Sequence, residues 1–369
     1  MKLALRELLR RPGRFVTATV ILTLIAVLLM FLGGLLDGLL RSSTGAVRAQ
    51  SADALVYSES SQASFLRSRV EPDTRAEIEA MPEVEKVGGL GVVQLGARVP
   101  GNDVRDLANV ALWGYELAPE DVPPPPAPGE AWADEVLQSD GVEIGDELLL
   151  GPARSPVVVI GWVSDTSFNG QGGLWADVAT WREVLAENRP DAVLAEGVFQ
   201  ALAVQGADGI EPSALVDSIT AVAGDEVEAF TIDDAVEAIP GVTEQRTTFN
   251  QILGVTVVIA LVVIALFFAL LTVERTALYG VLKAVGARSR TIFAGLVTQA
   301  VVVTLIASTI AGVAVVVLDL VIPPGSIPLF ISPSRIVTSV ILLLIAALAG
   351  SAFSLRRVLH IDPASALGR

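Results

Sequence analysis

The stretch Phe15–Leu36, FVTATVILTLIAVLLMFLGGLL, carries no charge, and its only polar members are Thr17, Thr19 and Thr23. At 1.5 Å per residue its 22 residues reach about 33 Å, enough to cross a hydrocarbon core of about 30 Å. A basic start followed by an apolar run also fits a secretory signal, but the apolar part of a signal is only about 7–15 residues long. The stretch therefore reads as a spanning helix. Three more follow the same logic, at about Phe249–Val273, Ile292–Leu318 and Ile336–Leu355.

Charge is distributed to match. The chain of 369 residues is 52% hydrophobic and 18% charged, with a formal charge of −16 and a mean hydropathy of +0.61. Residues 37–247 hold 37 acids against 12 bases, a net −25. The short segments 1–14, 274–291 and 356–369 together hold 12 bases against Glu7, Glu274 and Asp362. Lys and Arg in short loops beside spans mark the inner face, and four spans put all three basic segments on one side. The expected order is thus a cytoplasmic amphipathic elbow (1–14), transmembrane helix 1 (15–40), an acidic extracytoplasmic domain (41–247), helix 2 (248–273), a cytoplasmic loop (274–291), helix 3 (292–318), an external loop (319–335), helix 4 (336–355) and a cytoplasmic tail (356–369). Both termini fall in the cytoplasm. An acidic chain of pI 4.5 is a poor partner for nucleic acid, whose binding draws on Lys and Arg.

The acidic block reads as α/β at its ends. Ala54–Tyr57, Pro72–Ala80 and Leu90–Val99 suggest strand, helix and strand, and Phe199–Val204, Pro212–Val222 and Val227–Thr231 repeat the order. Between them lies a β-rich insertion at about 112–195. It contains the proline run Pro123–Pro126, strands around Val142–Leu150 and Val157–Val163, and a helix at Ala176–Glu187. Trp113, Trp132, Trp162, Trp175 and Trp181 all lie in or beside it; packing in a β core explains them better than an aromatic ligand pocket. The segment Thr166–Gly173, TSFNGQGG, has loop composition, and it either contacts a partner or connects strands. No strong breaker falls between Thr243 and Gln251, so the second spanning helix is expected to continue outward as a stalk.

Several chemistries are excluded. There is no cysteine, and the one histidine is His360, so neither a Cys/His zinc site nor a Ser–His–Asp or Cys–His centre can be assembled outside. The three lysines precede Leu3, Val87 and Ala284, so none ends a phosphate-binding Gly-Lys-Ser/Thr loop. No catalytic residue, metal ligand or cofactor is assigned to the chain, and its substrate contacts are left unassigned. The apolar stretches Phe15–Leu36, Phe249–Val273, Ile292–Leu318 and Ile336–Leu355 hold no ionisable group, which argues against an ion-coupled carrier. Gly295, Gly312, Ala347 and Gly350 read as helix-packing positions.

The loop Glu274–Arg290, ERTALYGVLKAVGARSR, is the most specific segment. On a helix, Leu278, Val281, Leu282 and Val285 form an apolar stripe flanked by Arg275 and Lys283, with Gly286 as terminator. Such a helix either lies on the inner membrane surface or docks in a partner's groove through anchors at i, i+3, i+4 and i+7.

This loop resembles the motif E-R-x-x-E-[IFL]-G-[VI]-L-[KR]-A-[LVI]-G-A of the FtsX/MacB superfamily of ABC transporter permeases, the type VII or mechanotransmission class. Glu274, Arg275, Gly280, Val281, Leu282, Lys283, Ala284, Val285, Gly286 and Ala287 match; Leu278 and Tyr279 stand where an acid and an apolar residue are common. Arg356–Gly368 is similar to the family tail R-R-x-x-x-[IL]-D-P-x-x-A-L, with Asp362, Pro363, Ala366 and Leu367 in place. Leu3–Arg14 looks like the family's basic elbow, and Pro82–Val87 and Gly141–Leu150 look like pieces of its two-subdomain periplasmic core. The stretch after the first span is nearest to DevC-type exporter permeases.

The resemblance implies a polytopic α-helical membrane protein with four transmembrane helices and a large α+β extracytoplasmic domain, a MacB-like periplasmic core, between helices 1 and 2. It implies residence in the inner membrane of a bacterium and pairing with a second copy or a paralogue. Two copies of a separate ABC ATPase would bring ATP and Mg and dock on Glu274, Arg275, Leu278, Tyr279, Val281, Leu282, Lys283, Val285, Gly286 and Arg288. Two outputs stay open: export or extraction of an amphiphilic, lipid-like or peptide substrate, and mechanical control of an external cell-wall hydrolase without transport. Either output allows for an external adaptor.

Overall fold

The computed structural model describes residues 12–103, 105–274, 285, 288–322 and 327–359. They divide into two compact units, a helical one from Met1–Gly38, Thr247–Ile322 and Leu329–Arg369, and a mixed one from Leu39–Arg246 and Pro323–Pro328. The first element is a single helix, α1 (Pro12–Arg48), whose apolar run is followed by two further polar turns. Residues 1–11 of the elbow, 360–369 of the tail with His360, and most of the 274–291 loop lie outside the described residues, while 12–14 open α1 and 356–359 end the last helix.

The mixed unit contains β1 (Ala54–Ser58), α2 (Pro72–Glu79), β2 (Val84–Arg98), β3 (Leu107–Tyr115), β4 (Glu130–Asp134), β5 (Glu147–Leu150), β6 (Ser155–Val163), β7 (Gly172–Ala176), α3 (Val178–Asn188), β8 (Ala201–Gly206), α4 (Pro212–Ala223), β9 (Val227–Thr231) and α5 (Ile232–Ala238). All nine strands belong to one sheet with β2 at its pivot. On one side β2 pairs with β8, β8 with β1, and β1 with β9, all antiparallel. With α2 and α4 as crossovers this is a split β–α–β platform. On the other side the order β3–β7–β4–β6–β5 returns to β2, closing a ring of six. The 112–195 segment therefore forms no independent sheet, because its strands close onto the second half of β2.

Local chemistry sets the element limits. The 142–150 stretch becomes strand only at Glu147–Leu150, since Gly141 and Gly145 turn the chain in the left-handed region at φ +84° and +98°. The helix expected from Ala176 begins at Val178, because the Asp177 carboxylate accepts the amides of Ala179 and Thr180. Ala176 itself ends β7.

Trp113, Trp175 and Trp181 are fully buried, so core packing is what these side chains do. Trp113 stacks on Trp175 at 5.3 Å between ring centroids, with Phe65, Phe168 and Tyr115 edge-on around the pair. Trp181 reaches from α3 onto the cross-strand pair Gly91 and Gly114. These glycines are there for space, since an added Cβ would sit 2.0 Å from the Trp181 ring at Gly91 and 2.5 Å from its side chain at Gly114.

The helical unit adds α6 (Val242–Glu274), α7 (Ser289–Val321) and α8 (Pro333–Leu359) to the apolar part of α1. All four are long and apolar enough to cross a bilayer. The described chain is therefore a multi-pass membrane protein carrying a large α+β region between its first and second spans. Helix α6 runs without a break from Val242 into its apolar stretch. Gly350 of α8 lies so close to α6 that a Cβ would be 2.9 Å from the Leu261 carbonyl oxygen, and Ala347 is fully buried, so both pack helices. Gly295 has open space around it, and a Cβ on Gly312 would meet only Ile336 at 4.0 Å.

Because the Trp181 indole has no room to move, Gly91→Ala should destabilise the mixed unit by about 2–3 kcal/mol through overpacking. Chemical denaturation followed by tryptophan fluorescence measures this, and a neutral result would mean that α3 sits loosely on the ring of strands.

Candidate functional site

Of the residues expected to dock an ATPase, Glu274 closes α6, Arg288 caps the N-terminus of α7, and Val285 is 84% exposed. Arg275, Leu278, Tyr279, Val281, Leu282, Lys283 and Gly286 lie outside the described residues. The described residues thus place the two helix ends that the loop must join. The described residues do reveal two other attachments, both on α1.

The first is made by residues 164–171, which overlap the Thr166–Gly173 stretch that composition reads as a flexible loop; Gly172 and Gly173 instead open β7. Its foundation is the buried Asp134, whose carboxylate accepts the Thr166 amide, the Thr166 hydroxyl and the Ser167 hydroxyl, each at 3.0 Å. A buried carboxylate supplied with this many donors is satisfied, so it fixes the loop instead of straining it. The loop in turn bonds the main chain of α1. Ala46 donates to the Ser167 carbonyl, while Asn169 and Gly170 donate to the carbonyls of Ser43 and Ser42, at 2.9–3.2 Å. Gly45 permits the approach, since a Cβ there would lie 2.6 Å from the Asp165 carbonyl oxygen. Asp165 then accepts Arg41 at 2.8 Å and Arg48 at 2.7 Å from the last turns of the same helix. The segment is therefore a clasp on the polar end of α1.

The second attachment ties α1 to α8 within the helical unit. Phe330 donates its amide to the Gly34 carbonyl at 3.1 Å, and Ser332 caps α8 by accepting the Arg335 amide. Arg335 lies along Gly33, where a Cβ would fall 2.6 Å from its Cδ, and both its Nε and its terminal nitrogen donate to the Asp37 carboxylate. Each side chain of this pair is 22% exposed. Two-pronged guanidinium–carboxylate geometry in a partly desolvated place is the strong form of an ion pair. Gly34 accommodates the strap as well, since a Cβ there would lie 2.2 Å from the Ile331 side chain.

Neither attachment is visible in the segments taken singly. Asp37 and Arg335 are 298 positions apart. The available signal was that each is an isolated charge at the end of an apolar run, where an unpaired ion is expensive. For the clasp, the signal was an acid at Asp165 beside a glycine-rich turn and two arginines spaced i and i+7 on α1.

Comparison with known proteins adds the following. Residues 250–363 match the family model of the FtsX-like permease C-terminal. Over 100% of this chain and 99% of the other, the sequence is 20% identical to a protein of Staphylococcus epidermidis named as a hemin transport system permease, HrtB. It is 29% identical to an uncharacterized ABC transporter permease of Mycobacterium bovis, over 99% of this chain and 98% of that one. The periplasmic region of MacB from Actinobacillus actinomycetemcomitans aligns with 53% of this chain and 96% of its own, at 12% identity and a TM-score of 0.36.

Truncating either Asp37 or Arg335 to Ala should cost the helical unit about 1–3 kcal/mol, because each leaves its partner's charge half-buried and unpaired. The double variant should cost less than the sum of the two. Unfolding titrations in detergent micelles test this cycle, and strict additivity would show that the pair contributes nothing as a pair.

Proposed function

We propose that this chain, an FtsX-like ABC transporter permease, is the moving membrane subunit of a machine whose ATP hydrolysis takes place in a separate ATPase. The observation that carries the reading is the continuity of α1 and α6. Each is one unbroken helix that contributes residues to both the helical and the mixed unit. Helices propagate tilt and rotation along their length because every turn is hydrogen-bonded to the next. A displacement at the inner ends of the spans therefore reaches Ser42–Arg48, where the clasp converts it into motion of the sheet. The acidic unit acts outside the inner membrane of a bacterium, and both termini face the cytoplasm.

In this reading a second copy or a paralogue completes the membrane part. Two ATPase subunits, holding ATP and Mg, grip the segment from Glu274 to Arg288. Leu278, Val281, Leu282 and Val285 are the apolar anchors, Arg275, Lys283 and Arg288 the charged flanks, and Tyr279 and Gly286 shape the ends. Closure of the ATPases tilts α6 and α7, which this loop joins. The substrate is an amphiphilic, lipid-like or peptide molecule, exported or extracted at the outer side. The hemin named for the staphylococcal relative, a flat amphiphile, fits that class.

The double variant Val281→Glu plus Val285→Glu should abolish co-purification of the ATPase and permease-stimulated ATP hydrolysis, while the purified permease keeps its circular dichroism spectrum. Unchanged association would defeat the docking assignment. Recovery of a bound cell-wall hydrolase, with no substrate released from proteoliposomes, would replace transport by mechanical control of that hydrolase.

A further inference from the structure

Strand β2 leaves a short stretch of one edge unclaimed. Strand β8 pairs with it from Val84 to Leu90, and β5 pairs with it only at Ala97 and Arg98. At one end of the interval, Gln200 donates its amide to the Leu90 carbonyl and accepts the Val92 amide on its side-chain oxygen. At the other end, Gly151 donates to the Gly96 carbonyl at 2.9 Å. Alternate residues of a strand turn their main-chain groups to the same edge. Gln94, midway between Val92 and Gly96, therefore presents both its N–H and its C=O to the gap, and among the described residues neither has a main-chain or side-chain partner.

A cleft of about 530 Å³ opens at this gap, where the platform meets the ring of strands. Its walls include Gln94, Asn109, Gln171 and Asn188, with Arg189 and Asp191 at the end of α3. The Gln171 side-chain oxygen is buried without a hydrogen-bond partner. A buried acceptor left in that state is destabilising, and a donor arriving in the cleft would satisfy it.

We infer that this cleft binds a short, extended peptide segment, which adds its main chain to β2 at Gln94 and donates an N–H to Gln171. The unpaired strand groups suit a peptide main chain, since strand addition is a common mode of peptide capture. The amide side chains of Gln94, Asn109 and Gln171 each offer N–H donors and a carbonyl acceptor, which suit the C=O and N–H groups of a peptide main chain. No wall residue is aromatic, so a glycan would find no ring to stack on. Four residue steps along β2 measure about 13 Å, room for three or four residues of an added strand. Arg189 and Asp191 bring opposite charges, which suits side chains of either sign on the segment. Gln171 directly follows Asn169 and Gly170, which hold α1, so an occupied cleft stiffens the clasp. The inference does not rest on the ATPase reading.

The test is calorimetric titration of the full-length permease in lipid nanodiscs with the blocked tetrapeptide acetyl-(Ala)4-amide and, separately, with diacetylchitobiose. Saturable binding of the peptide is expected. It should weaken at least tenfold in Gln171→Leu and in Asn109→Leu, and stay unchanged in Lys86→Ala, which lies on β2 outside the cleft. Asn109 is exposed, so its variant decides the matter if Gln171→Leu fails to fold. Absence of saturable peptide binding, equal binding in the Gln171 and Asn109 variants, or tighter binding of the disaccharide would overturn the proposal.

Discussion

The double pairing of β2 is the constraint on which the mixed unit depends. Its first half is the edge of an open four-stranded platform, and its second half is a stave of a closed ring. The strand must therefore bend and admit bulky neighbours at close range, which explains the sequence VGGLGVVQLG at Val87–Gly96. Gly89 gives room to the Phe199 ring and Gly91 to the Trp181 ring. Without a cysteine anywhere in the chain, this interlocking of rings and glycines has to supply the stability that small external domains often draw from disulfides. Three tryptophans and two tyrosines are among the side chains it withdraws almost completely from solvent.

How much of this was legible beforehand follows from how local each signal is. Spanning helices announce themselves because lipid forces apolarity over about 20 residues, and Phe15–Leu36 satisfies that within one glance at the chain. Strand and helix order at Ala54–Tyr57, Pro212–Val222 and Val227–Thr231 was equally plain, since side-chain alternation and proline placement are local properties. Closure of the ring was not, because pairing of β3 with β2 and of β5 with β2 is decided by loop lengths and twist that no short window contains. The glycine-rich 166–173 segment shows the limit of composition. Its residues look mobile, yet Asp134, 32 positions earlier, supplies the buried acceptor that orders them. The 274–291 loop was readable as a motif through its family resemblance, whereas the strap between Asp37 and Arg335 had no motif to give it away.

The two attachments on α1 also divide the work of holding a helix. Within the helical unit the strap fixes α1 through a charge pair and two glycines, a combination in which close approach and ionic geometry reinforce each other. Within the mixed unit the clasp uses main-chain bonds to Ser42, Ser43 and Ala46, which report the position of the helix axis and are indifferent to side-chain identity. One grip thus rests chiefly on a side-chain ion pair, and the other chiefly on main-chain bonds whose approach Gly45 permits and whose loop Asp134 orders.

Asp37, Arg41, Thr44 and Arg48 recur at i, i+4, i+7 and i+11 and so share one face of α1. At about 100° per residue, one residue inserted between Asp37 and Arg41 would swing the arginines a quarter-turn and more away from the direction that the strap has set. The length of this helix is therefore a phase as well as a distance. Insertions and deletions that the surface loops would absorb can enter α1 only in numbers that restore the phase, such as seven residues, about two full turns, which lengthen or shorten the shaft by about 10 Å.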